Sequence, residues 1–212
     1  MVAEIKITNE DCMDLMARYP DKHFELAIVD PPYGIGNFVP QANSYGGNPG
    51  KLVDWNDYIP TEEYFSELIR VSKNRIVWGA NYYNSFEPNR GAIVWYKGGT
   101  QGKSSKCEIA SQSFYKKIDY IHINWQSGFF RANIEHIIHA CQKPVALYKW
   151  LLKNYAKPGD KILDTHLGSG SIAIACHDAG YDLTACEIDK DYYEAAMKRL
   201  RQHQAQMKLE LM

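Results

Sequence analysis

"KILDTHLGSGSIAIACHDAG", residues 161 to 180, decides the kind of fold. "KILD" comes after the turn "PGD" and reads as a short strand ending on an acid, Asp164. A glycine loop comes next, then a helix that stops at Gly180, the residue type that ends helices in a left-handed conformation. "DLTACEID" supplies a further strand with Glu187 near its end, and "KDYYEAAMKRLRQHQAQ" a long amphipathic helix. Strands alternate with helices throughout this half, which predicts an α/β fold with a mostly parallel sheet and helices on both faces.

The same alternation extends toward the N-terminus. "KPVALYKWLLKNY" is a helix with Pro144 at its first position, and Leu147, Tyr148, Leu151, Leu152 and Tyr155 facing in. "RIVWGANYY", "GAIVWYKG" and "YIHINWQ" read as strands. "TEEYFSELIRVSK" is an amphipathic helix capped by Thr61, with Glu62 and Glu63 favoured by the helix dipole. "FELAIVD" is a buried strand, and "NEDCMDLMARY" a helix with Asn9 as its cap. Residues 34 to 60 lack periodicity and are rich in Gly, Asn and Pro, so they read as a mobile loop of functional length.

The 212 residues suit a single domain spanning 1 to 212. The net charge of −1 offers no global positive field toward nucleic acid, so binding of that kind must use local patches. One patch lies between residues 97 and 117, where Lys97, Lys103, Lys106, Lys116 and Lys117 stand against Glu108 alone. The first thirty residues hold three basic and seven acidic side chains, so charge is segregated along the chain. Each cluster taken alone is more often just a solvated face. The five cysteines form no CxxC pair and read as reduced, mostly buried thiols of a cytoplasmic protein. No metal is expected, because His136 and His139 find no partners to complete a site. The sequence shows neither a signal peptide nor an apolar run long enough to cross a membrane.

Two stretches carry chemistry. In the glycine loop, Gly168 and Gly170 let backbone approach a ligand, and the helix start offers free N–H groups. Glu187, about twenty residues on, is placed to bind ribose hydroxyls. The loop lacks both GxGxxG and the GK[ST] of a P-loop, so no lysine holds a triphosphate. A nucleoside without a phosphate chain fits better, and S-adenosyl-L-methionine is one; the bland alternative is a tight strand-to-helix turn. The second stretch is "AIVDPPYGIG", residues 27 to 36. Ligands of such folds sit beyond the carboxyl ends of the strands. Asp30 ends its strand there, and Pro31 and Pro32 stiffen the backbone beyond it. The Asp30 carboxylate and Pro31 carbonyl become rigid acceptors, and Tyr33 offers a flat face. That set suits a planar base with an exocyclic amino group, whose nitrogen becomes nucleophilic toward a sulfonium methyl.

With these motifs the sequence resembles the amino-methylating DNA methyltransferases, which make N6-methyladenine or N4-methylcytosine. "DPPY" first and "GSG" near the C-terminus is similar to their circularly permuted, beta-type arrangement. "TNEDCMDLM", "RIVWGANYY", "AIVWYKG", "HACQKPVALYKWLLKNYAKPGDKILD" and "GYDLTACEIDKDYYEAA" also look like members' segments, so the resemblance covers nearly the whole chain. It implies a Rossmann-like fold with a seven-stranded type of sheet, transfer of a methyl group from S-adenosylmethionine to DNA of the kind found in restriction–modification, and pairing into a homodimer. It implies that Asp30, Pro31, Pro32 and Tyr33 hold the target base. It assigns the cofactor to Asp164, Gly168, Ser169, Gly170 and Ser171 at the methionine end, to Glu187 at the ribose, to Asp11 and Cys12 at the adenine, and to Lys143 near the carboxylate, with Asp30, His166 and Ile188 as further contacts.

Two departures stand out. Thr165 and His166 replace the usual Pro-Phe pair, which puts cofactor affinity in doubt, and the recognition region is short. Residues 98 to 135 must read DNA, with Lys97, Lys103, Lys106, Lys116 and Lys117 as contacts. An acid at the first position of "DPPY" suits adenine, so N6 methylation of adenine is expected. N4 methylation of cytosine is the near alternative; a glutamine or RNA methyltransferase and an inactive nucleic-acid-binding partner are more distant ones.

Overall fold

The computed structural model describes residues 3–36, 57–98, 105–125, 135–139 and 141–210. Its strands are β1 (Ile5–Thr8), β2 (Phe24–Val29), β3 (Ser72–Trp78), β4 (Gly91–Tyr96), β5 (Cys107–Gln112), β6 (Ile118–His122), β7 (Lys161–Asp164) and β8 (Asp182–Cys186). Its helices are α1 (Cys12–Ala17), α2 (Glu62–Val71), α3 (Ala80–Tyr83), α4 (Val145–Tyr155), α5 (Ser171–Ala179) and α6 (Lys190–Glu210). The strands form one sheet in the order β1-β8-β7-β2-β3-β5-β4-β6. All pairings are parallel except those of β5, which is antiparallel to both β3 and β4.

Both faces of the sheet are covered, as period-2 alternation requires when a strand is buried on two sides. Leu26 and Ile28 of β2, Ile76 and Trp78 of β3 and Ile162 of β7 face one core, completed by Leu147, Leu151 and Leu152 of α4 and Ile172 of α5. Ala27, Val29, Val77 and Leu163 face the other, against Leu15 and Met16 of α1 and Tyr64, Leu68 and Val71 of α2. The Thr61 hydroxyl accepts from the Tyr64 N–H and caps α2, as expected. α5 ends at Gly180, whose φ is +76°.

Several expectations need correction. The sheet has eight strands among the described residues rather than seven. β1 and β5 are the strands that the sequence reading does not name; β5 and β6 lie inside the segment 98 to 135 that reads as a recognition region, so sheet occupies part of that segment. "NYY" after β3 is not strand. Gly79 turns left-handed at φ +75° and opens α3, because a Cβ there would overlap the Tyr33 ring. The cap of α1 is Asp11, which accepts from Met13 N–H at 2.7 Å, and not Asn9. Pro144 caps α4 rather than beginning it. Of the five cysteines, Cys176 and Cys186 are buried and Cys107 and Cys141 are exposed. Residues 37–56 of the expected loop lie outside the described residues, as does Lys103. No helix of the described residues is long and apolar enough to cross a membrane.

Candidate active site

β2 and β7 are neighbours, with Leu26 opposite Ile162 and Ala27 opposite Leu163. "DPPY" and the glycine loop therefore leave the same end of the sheet side by side. Between them lies a cavity of about 250 Å³. Asp30, Pro31, Pro32, Tyr33, Lys143, His166, Gly168, Ser169, Glu187 and Ile188 line it, and these are ten of the residues singled out by sequence.

On the glycine-loop side, the Glu187 carboxylate accepts from Gly168 N–H at 2.8 Å and from Asp189 N–H at 3.0 Å. Gly168 (φ +52°) and Gly170 (φ +72°) hold left-handed conformations, and a Cβ on Gly170 would press on Ala196 at 3.2 Å. Arg199 of α6 locks the loop from behind: its Nη1 donates to the Ser169 carbonyl and to the Ser171 hydroxyl, both at 2.9 Å, while Nη2 pairs with Glu135 at 2.6 Å. Ser171 and Gly170 are thus structural supports of the loop and do not line the cavity. His166 does line it. Burial lowers its pKa to about 4, so the ring is neutral, with Nδ1 2.9 Å from the Thr165 hydroxyl and an edge against Tyr64. The His166 N–H donates to Asp164, a buried carboxyl behind the cavity wall, pushed up to about 8 chiefly by desolvation.

Asp11 and Cys12 do not line the cavity. Asp11 serves as the α1 cap, although its charge acts on His166, and burial pushes the Cys12 thiol up to about 11. Asn9 ties this segment to the end of β8, donating to the carbonyls of Glu187 at 2.7 Å and Ile188 at 3.1 Å.

On the "DPPY" side, Asp30 Oδ1 accepts from the Tyr33 hydroxyl at 2.6 Å and Oδ2 from Lys143 Nζ at 2.5 Å. Lys143 is 2% exposed; its ammonium also meets Glu108 at 3.0 Å and the Tyr33 oxygen at 3.0 Å. Sequence places Lys143 at a cofactor carboxylate; the structure bonds it to Asp30 of "DPPY" on the wall of the shared cavity. Lys97, read as a DNA contact, turns inward and pairs with Glu108 at 2.9 Å with 13% of its side chain exposed. Lys106, Lys116 and Lys117 are exposed. The Tyr33 ring is stacked on Tyr82 with centroids 4.8 Å apart, so one face is already covered. The Tyr83 hydroxyl lies 2.9 Å from the Pro31 carbonyl and 3.0 Å from that of Trp78. It has one hydrogen for two carbonyls, so turning it to Trp78 releases the Pro31 oxygen.

Burial raises the Asp30 pKa; Lys143 opposes this and Glu108 adds to it. Burial works the same way on Glu108, yet Lys143 and Lys97 together hold it down at about 2. Burial opposes the charge on Lys143, and the two carboxylates outweigh it. Sequence reasoning missed Glu108, whose signal was its being the lone acid in a lysine-rich run. It also missed Gln142, Tyr148, His139, Asp189 and Tyr192, which line the cavity from the quoted segments "HACQKPVALYKW" and "EIDKDYY" although no site role fell to them there. Among the described residues, metal-type ligands gather only at His177, Asp178 and His203, away from this cavity, where Lys149 and His203 already hold Asp178 at 2.6 Å.

The donor set fits a nucleoside cofactor bearing a cation. Glu187 keeps lone pairs toward the cavity, left-handed Gly168 leaves its floor without a side chain, and Asp164 is a buried acid whose ionisation a nearby cation would favour. The fold is the Rossmann-like one of the superposed methyltransferases, and with the family match it defines an S-adenosylmethionine-dependent methyltransferase. The chain belongs to the N6/N4 DNA methylase family, whose model matches residues 72–198. It is 25% identical to the type II methyltransferase M.HpaI of Haemophilus parainfluenzae, over 85% of this chain and 69% of that protein. It is 22% identical to the type II methyltransferase M.ScaI of Streptomyces caespitosus, over 93% of this chain and 82% of that protein. Among solved structures, the M1.HpyAVI–SAM complex superposes with a TM-score of 0.62 at 17% identity, covering 92% of this chain and 100% of that one. The cytosine-N4-specific PvuII DNA methyltransferase does so with a TM-score of 0.62 at 12% identity, covering 93% and 86%.

Proposed function

We propose that this chain transfers the methyl group of S-adenosylmethionine to the N6 amino group of adenine in DNA. The observation that carries the reading is the shared cavity, which Asp30 and Pro31 line together with Gly168 and Glu187. When bound, the cofactor supplies an electrophilic methyl group on a sulfonium.

The chain's own residues do the rest. Asp30 uses two of its roughly four lone-pair positions on Tyr33 and Lys143, leaving capacity for an amino hydrogen. Pro31 takes the second hydrogen once Tyr83 turns to Trp78. Both acceptors draw the nitrogen lone pair out of the ring, and Asp30 stabilises the positive charge that then builds on nitrogen. Reaching a base inside a duplex requires flipping it out. A base that stacks on Tyr33 on its covered side must displace Tyr82, which is 40% exposed and so able to move. The acid at the head of "DPPY" supports adenine. Single-molecule sequencing of DNA from cells expressing the chain tests the reading, since it reports base and position together; N4-methylcytosine alone overturns it. A homodimer belongs to the same reading, and light scattering at micromolar concentration reads it directly.

Two expected results belong to this reading. The first concerns Asp164. Its folded pKa is raised, so the folded state holds the proton more tightly than the unfolded chain does. That contribution to stability is complete below about pH 4, the ordinary carboxyl value, and is lost as pH rises toward 8. A cationic cofactor prefers the ionised acid, so its affinity should rise with pH up to about 8 and then level off, with proton release below that point. Asp164→Asn should raise the melting temperature of the cofactor-free protein above pH 8 and flatten the pH dependence of affinity in calorimetric titrations. A parent affinity that does not vary with pH overturns the assignment.

The second separates the lysines. Lys106, Lys116 and Lys117 are proposed to meet phosphates, so each change to Gln should lower the slope of log affinity against log salt by about 1. Lys97→Gln should leave that slope alone and lower turnover instead, because its partner is Glu108. Anisotropy titrations of a DNA duplex at several salt concentrations read the difference.

A further inference from the structure

Lys143 has three ammonium hydrogens and three oxygen partners: Asp30 Oδ2 at 2.5 Å, Glu108 Oε2 at 3.0 Å and the Tyr33 oxygen at 3.0 Å. One buried carboxylate would neutralise it. A second brings a further desolvation cost and requires its own cation, which Lys97 provides at 2.9 Å. Such an arrangement exceeds what packing needs, and unusual charge clusters in a cleft mark functional sites. Glu108 does not line the cavity and touches neither ligand loop except through the Tyr33 hydroxyl at 3.4 Å. Whatever it does to the reaction passes through Lys143 and Asp30.

We propose that Glu108 is a positioning residue that shares the charge of Lys143 with Asp30 and so sets how strongly Asp30 accepts hydrogen from the target amino group. This rests on the reading in which Asp30 receives that group. With Glu108 present, Lys143 is held between two acids and Asp30 keeps much of its negative charge for the substrate. Without it, the ammonium settles on Asp30, which becomes a weaker acceptor. The charge of Glu108 also favours the positive nitrogen of the transition state directly. The groups that act on this pair come from several adjoining elements: Tyr33 beyond β2, Tyr83 on α3, Lys97 after β4, Lys143 before α4, Tyr148 on α4 and Asp164 at the end of β7. Among charged neighbours, Lys143 and Glu108 act most strongly on Asp30 and in opposite senses.

The test uses the full chain, with single-turnover methyl transfer to DNA measured against pH and calorimetric titration of S-adenosylmethionine beside it. Glu108→Gln removes the like charge near Asp30 and frees Lys143 for it, so the acid limb of the profile should move to lower pH. The plateau rate should fall, by less than the roughly 10²–10³ that loss of a direct electrostatic partner gives, with cofactor affinity unchanged. Glu108→Asp should restore the limb and part of the rate. A Gln variant with the parent's rate and limb overturns the inference. So does a rate loss that keeps the parent's limb and falls in step with cofactor affinity, which is what a purely structural role gives. Asp30→Ala is run alongside. If it stays active, the catalytic reading fails and takes this inference with it; if it is inactive while Glu108→Gln matches the parent, only the role of Glu108 falls.

Discussion

Asp30→Ala should abolish methyl transfer to DNA while leaving cofactor binding nearly intact. Asp30 is the carboxylate that "DPPY" contributes to the cavity wall, and in the proposed reaction its charge is worth most in the transition state, when nitrogen becomes positive. Removing one such electrostatic partner from a pre-arranged site commonly lowers the rate on the order of 10²–10³. The truncation also leaves Lys143 buried, but not alone, because Glu108 remains 3.0 Å away. The protein should therefore fold, and Glu187 with its two backbone donors is untouched. Tritiated methyl transfer to DNA, run beside calorimetric titration of S-adenosylmethionine, reads both quantities. A near-parental rate for Asp30→Ala refutes the catalytic assignment; a loss of cofactor affinity as large as the loss of rate moves Asp30 from the base to the cofactor.

The parts of the site that were legible in sequence are strand ends with their own local chemistry. "DPPY" stiffens its own backbone, and "GSG" carries glycines at positions that the structure holds at positive φ. Each takes its turn from its own prolines or glycines, and distant residues then fasten it: Tyr83 and Lys143 at "DPPY", Glu187 and Arg199 at the glycine loop. Their adjacency is a different matter: it comes from the pairing of β2 with β7, which only the parallel-sheet argument anticipated. β5 was not legible, because "CEIASQ" mixes polar and small residues and becomes a strand through its antiparallel partners Ile76 to Trp78 and Gly91 to Tyr96. Glu108 went unseen with it. Lys97 shows the limit of counting charges: a lysine run gives the sign of a patch but not which members turn inward. Asn9 and Asp11 are both good caps, and the choice fell to Asp11 because the Asn9 amide is used on the end of β8, far away in the chain.

Glu187→Gln should lose cofactor affinity as fully as Glu187→Ala, although Gln matches Glu in shape. Each oxygen of Glu187 already accepts a backbone N–H, Oε2 from Gly168 and Oε1 from Asp189. An amide has one oxygen and one NH₂, so whichever way it is turned, an NH₂ faces an N–H. That mismatch leaves a buried donor unsatisfied beside a left-handed glycine that shapes the cavity floor. The charge-assisted hydrogen bond proposed to the ribose weakens as well. Together these effects cost roughly 3–5 kcal/mol, which is about a hundred- to a few thousandfold in affinity. Ala removes both acceptors but lets water or the cofactor itself reach the two N–H groups, so it is no worse. DNA binding should be unaffected in either variant, since Glu187 sits on the glycine-loop side of the cavity, away from "DPPY". Calorimetric titration of S-adenosylmethionine measures the loss, with duplex anisotropy as the control. A Gln variant that binds the cofactor within about threefold of the parent, well under 1 kcal/mol, shows that Glu187 acts through its shape and not through its two acceptor oxygens, and the ribose assignment then fails.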